Sequence, residues 1–139
     1  MDLDRQNVGH RLADSEKITI NLGFVDLGHI DLLVAESFFA NRTDLIRTAI
    51  RNLLERHSQA LQQSASRRHM VLGLRRYSRG ELELARAASE AFNIRVLGLA
   101  IIDVDVSTEL ALATIASIEV LGALQASKDV KRALRDRIR

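Results

Sequence analysis

The sequence predicts a mixed α/β chain, and three observations carry that reading. A short run alternates apolar and polar residues with period two, two aliphatic stripes recur at helical spacing, and one tripeptide returns three times, each time followed by a serine and a helical pattern. At 139 residues the chain has room for one domain or two very small ones, and a charged fraction of 27% beside 47% hydrophobic residues places it among globular rather than disordered chains.

The elements follow in order. Residues 1–15 form a polar lead carrying Asp2, Asp4, Arg5, Arg11 and Asp14, so an apolar signal peptide is not expected there. In Glu16–Leu22, Ile18, Ile20 and Leu22 fall on one face of a strand and Lys17, Thr19 and Asn21 on the other. Gly23 ends that strand. Asp26 is the expected cap of a first helix, whose stripe of Leu27, Ile30, Leu33, Val34 and Phe38 runs on to Phe39. Asn41, with Asp44 three residues later, is the expected cap of a second helix, in which Leu45, Ile46, Ala49, Ile50, Leu53, Leu54, His57 and Leu61 form the stripe. The small polar stretch 62–68 reads as a hinge.

The second half holds the repeat. Val71-Leu72-Gly73, Val96-Leu97-Gly98 and Val120-Leu121-Gly122 place their glycines 25 and then 24 residues apart. Ser78, Ser107 and Ser127 follow as helix caps, so each unit reads as strand then helix. Three such units predict three parallel strands with helical crossovers on one side and outer strands open for pairing; a split βαβ arrangement would use the same elements.

The segment Lys17–His57 resembles the ribbon-helix-helix DNA-binding family of the MetJ, Arc and CopG type. The resemblance rests on Lys17-Ile18-Thr19-Ile20-Asn21-Leu22 as the ribbon, on Asp26–Phe39 as the first helix, and most specifically on Asn41-Arg42-Thr43-Asp44-Leu45-Ile46-Arg47-Thr48-Ala49-Ile50 as the turn into the second. It divides the chain into the N-terminal arm 1–15, a ribbon-helix-helix domain for DNA binding and dimerisation over 16–62, and a β-α repeat domain for oligomerisation or regulation over 69–139. Physical reasoning agrees on pairing. One strand and two helices cannot close a core, and a lone strand leaves its backbone donors unpaired, so two chains are expected to pair their strands antiparallel. Lys17, Thr19 and Asn21 then stand on a two-stranded ribbon that fits the major groove, with side chains chemically suited to base edges. By analogy, Asn41, Arg42 and Thr43 at a helix start are expected to meet phosphate. Ala40 and Asn41 stand where the family usually has Gly and Ser.

The remaining residues narrow the function. No acid interrupts residues 56–80, where Arg56, Arg67, Arg68, Arg75, Arg76 and Arg79 either reach flanking phosphates, Arg67 and Arg68 being the accessory candidates, or meet acids of a neighbouring repeat. The basic tail reads as a solvated helix face. Zero Cys excludes thiolate metal sites, and no His follows His69, so the metal site of the nickel-responsive regulators is not expected; Asp103, Asp105 and Glu109 lack the pattern of a calcium loop. Neither a metal nor a cofactor is expected. Four Phe and one Tyr give few platforms for stacking single-stranded bases. Nothing in the spacing assembles a catalytic constellation, and no window is long and apolar enough to span a membrane.

The expectation is a cytoplasmic, nucleoid-associated regulator of transcription, acting as a repressor on double-stranded DNA. It is a homodimer through the N-terminal strand and a higher homo-oligomer through the C-terminal domain. The alternatives are an antitoxin that blocks a toxin with its C-terminal half, a DNA-organising nucleoid or partition protein, and a ligand sensor.

Overall fold

The computed structural model describes residues 15–139, so the arm as far as residue 14 lies outside the described residues. The chain falls into two compact units, dividing between Ala60 and Leu61.

In the first unit, residues 15–23 carry no strand assignment, and α1 (Phe24–Ala35) and α2 (Arg42–Arg56) follow. The expected strand is therefore not formed within one chain. Gly23, not Asp26, occupies the cap position of α1, and Asp26 lies in the first turn, where its charge complements the helix dipole. The helix stops at Ala35 rather than Phe39. Ser37 turns left-handed at φ 64°, and its N–H donates to the Val34 carbonyl (3.0 Å) while that of Phe38 donates to Leu33 (3.0 Å). These two bonds are a Schellman closure made without glycine. Asn41 does cap α2: its side chain accepts from the Asp44 N–H (2.8 Å), and Asp44 Oδ2 accepts from the Ala40 N–H (3.0 Å). The second stripe breaks at His57 and resumes in α3 (Ser58–Arg67). Residues 62–67 are thus helix rather than hinge, and a second Schellman closure at left-handed His69 ends it.

The second unit holds β1 (Val71–Tyr77), α4 (Arg79–Ala87), β2 (Phe92–Ile102), α5 (Thr108–Thr114), β3 (Ile115–Gln125) and α6 (Lys128–Ala133), then a 3₁₀ turn at Arg135–Arg137. The strands form one parallel sheet in the order β1-β2-β3. Their register aligns the repeat residue for residue, Val71 with Val96 and Val120, Leu72 with Leu97 and Leu121, Gly73 with Gly98 and Gly122. Ser78, Ser107 and Ser127 each cap the following helix through a bond from the N–H three residues on, at 3.1–3.2 Å.

The core lies on one face of this sheet. Ile94, Val96, Ala100 and Ile102 of β2 and Ile118 of β3 are buried against Leu82 of α4, Leu110 and Ala111 of α5, Val130 of α6 and Leu134. Tyr77 closes one end, with Phe92 edge-on to its ring at 5.6 Å and the Arg75 guanidinium 4.4 Å over its centroid. Burial of the Tyr77 phenol pushes its pKa up, against the opposing charge of Arg75. The three glycines all have positive φ, between 102° and 135°. A Cβ on Gly98 would stand 2.2 Å from the Gly73 carbonyl oxygen, and one on Gly122 would stand 2.0 Å from that of Gly98. The repeat's glycine is therefore a steric requirement of neighbouring strands.

Candidate nucleic-acid interface

The N-terminal unit has an apolar stripe but no core. No side chain from residue 15 to residue 60 is buried; Ile18 is 73% exposed, Ile20 58% and Phe24 92%. Leu27, Ile30, Val34, Leu45 and Ile46 are only half-buried. An aliphatic surface of this kind remains in water unless a further chain covers it.

Lys17, Thr19 and Asn21 are all exposed, and none makes a hydrogen bond or ion pair among the described residues. Ile20 and Leu22 line an open groove with Leu27 and Ile46, which Asn21 and Arg42 border. Apolar and polar residues of the 15–22 segment are thus alike exposed, and the segment forms no strand among the described residues.

At the start of α2, the side chains of Asn41 and Arg42 are already engaged. Asn41 caps the helix, and the Arg42 guanidinium grips Asp31 of α1 with two parallel bonds, Nε to Oδ1 at 2.7 Å and Nη2 to Oδ2 at 2.8 Å. That fork holds the Asp31 carboxyl below its ordinary value, burial opposing it slightly, and raises Arg42. What the helix start still offers a phosphate is its backbone: the N–H groups of Arg42 and Thr43 have no partner among the described residues.

The acid-free stretch resolves into pairs. Arg75 bonds Glu81, Arg76 Nε lies 2.6 Å from Asp103, Arg79 Nε 3.1 Å from Glu83, and Arg68 3.8 Å from Glu119. Arg67 donates to Ser64 Oγ (3.2 Å) and, like Arg56, has no acid partner among the described residues. In the tail, Arg137 is no solvated residue. Its Nη1 donates to the carbonyls of Leu112 and Ile115 (2.7 and 2.6 Å) at the end of α5, a contact 22 to 25 residues distant in sequence that periodicity does not reveal. No cluster of three or more metal-ligating side chains occurs among the described residues, and no helix among them is long and apolar enough to cross a membrane.

The model of the ribbon-helix-helix transcriptional regulator family matches residues 13–131, most of the chain. The protein belongs to that family, a class of DNA-binding regulators, and the match reaches beyond the N-terminal segment into the β-α repeat. No curated protein and no solved structure matches the chain.

Proposed function

We propose that the protein is a sequence-specific repressor that binds double-stranded DNA as a homodimer, its paired 16–22 segments forming a ribbon in the major groove. One observation carries this reading. Ile18 and Ile20 are exposed on a segment without a ladder partner, and Lys17, Thr19 and Asn21 alternate with them in sequence. Antiparallel pairing satisfies the backbone, turns the aliphatic face onto the helices of both chains and leaves the polar face for base edges. The N–H groups of Arg42 and Thr43, at the helix start capped by Asn41, fix the protein's position on phosphate, and Arg67 adds an uncompensated charge. Arg68 is the weaker accessory contact because Glu119 takes it.

The C-terminal unit assembles dimers or holds them together. Its own closed core supports that role over an antitoxin segment that folds only on its toxin.

The test is Asn21→Ala in a binding assay against a selected site and a random duplex. Folding and random-duplex affinity stay as in the wild type, and the preference for the selected site falls by about 1–3 kcal/mol. An unchanged preference removes Asn21 from the reading set.

A further inference from the structure

The sheet of the second unit has helices on one face only. The register lays two aliphatic rows across its other face, Leu72-Leu97-Leu121 and Leu74-Leu99-Ala123, between a row of Arg95 and Glu119 and a row of Arg76, Ile101 and Gln125. Leu74 is 60% exposed and Leu121 48%. Parallel sheets are found almost only with both faces covered, so an uncovered aliphatic face on this one is an unfinished interface.

The charges around it say what kind of partner fits. Arg95 pairs with Glu119 at 2.9 Å, Arg68 reaches the same carboxylate, and Arg76 is held by Asp103. These side chains are engaged within the chain, two arginines sharing one carboxylate, so what the face offers a partner is its two leucine rows, and a second copy of the same face presents matching ones. Size points the same way. Three strands ~4.8 Å apart and some five residues long present a footprint on the order of 300 Å², well under the ~800 Å² per partner of a free-standing complex. Such a patch holds a partner that is delivered by a tether, and the N-terminal pairing of two chains is that tether.

We infer that the open sheet face, rather than the strand edges, packs against the same face of the second copy in the dimer, as an aligned two-layer sandwich with the leucine rows interdigitating. This rests on the ribbon-paired dimer proposed above.

The chain has no cysteine, so single cysteines report cleanly. In the full-length protein, Leu97→Cys at the centre of the middle strand is expected to give a covalent dimer on mild oxidation. Leu74→Cys is expected to react with a maleimide at least tenfold more slowly than Leu84→Cys, which is 75% exposed on α4. Light scattering on the same samples reads the dimer independently. A dimeric mass with no Leu97→Cys crosslink overturns the inference and leaves the ribbon reading standing. Protection of Leu74→Cys without a crosslink means that the chain covers its own face, and overturns it too. Adding Ile20→Glu should slow crosslinking at least tenfold. An unchanged rate upholds the sheet contact while removing the ribbon as its tether, and a monomeric wild type overturns both.

Discussion

Replacing Gly98 by alanine tests the glycine ladder that sets the sheet's register. The new Cβ would lie 2.2 Å from the Gly73 carbonyl oxygen, where real Cβ contacts stay beyond 3.0 Å. β1 must therefore retreat by about 1 Å, which carries ladder bonds of ~2.9 Å past their useful length. Losing two such bonds costs about 1–3 kcal/mol. The backbone of Gly98, at φ +135°, adds about 1–2 kcal/mol for a residue with a Cβ. Together these amount to roughly 2–5 kcal/mol, against about 4–12 kcal/mol for the whole stability of a unit of this size. Gly73→Ala separates the two contributions: φ there is +102°, but a Cβ would meet nothing within 4 Å. Urea unfolding followed by circular dichroism should show Gly98→Ala losing at least about 1 kcal/mol more than Gly73→Ala. Equal losses would refute the steric argument and leave only backbone conformation.

Alkaline unfolding is the second test. The folded pKa of Tyr77 stands above the ordinary 10.0 because the phenol is desolvated, so the folded state holds that proton more tightly. Its contribution is complete below about pH 10 and is lost as pH rises from there through the raised value; Tyr77→Phe, which keeps the ring against Phe92, should flatten that limb of a stability–pH curve. Arg137→Ala strips two carbonyls at the end of α5 of a charged donor. A loss of about 1–2 kcal/mol, read as a Tm lower by roughly 5–10 °C, is expected; an unchanged Tm would return Arg137 to the solvated tail.

What was legible in the sequence is what depends on spacing within one chain. The tripeptide at 25 and 24 residues carried the register of the sheet, and serine three residues before an N–H carried the caps at Ser78, Ser107 and Ser127. The helix ends were not legible. Three Schellman closures place Ser37, His69 and Ser89, none of them glycine, in the left-handed position, so the usual stop signal is missing and 62–68 reads as a hinge. The arginine stretch was legible only as a choice between phosphates and acids of a neighbouring repeat. Arg76 meets Asp103 across a strand-helix-strand crossover, and only the fold decides between that carboxylate and a phosphate. The 16–22 segment shows the limit most plainly, because its alternation was legible and no ladder forms on it within one chain.

The two units differ in how they acquire a core. With no buried side chain from residue 15 to residue 60, the N-terminal unit of the proposed dimer would gain its core only by pairing, and its folding free energy would then depend on concentration. The repeat unit has the opposite character: Leu82, Ile94, Val96 and Ile118 are buried within one chain. Joined to the proposed ribbon, a unit with its own core and the weak contact inferred above would turn reassembly of an opened dimer into an intramolecular event. Its small face of two leucine rows suits that task, since a contact too weak to gather free monomers would still keep two tethered chains within reach of each other. On the proposed reading the C-terminal unit would set the protein concentration at which DNA is bound, and Lys17, Thr19 and Asn21 would set which DNA it is.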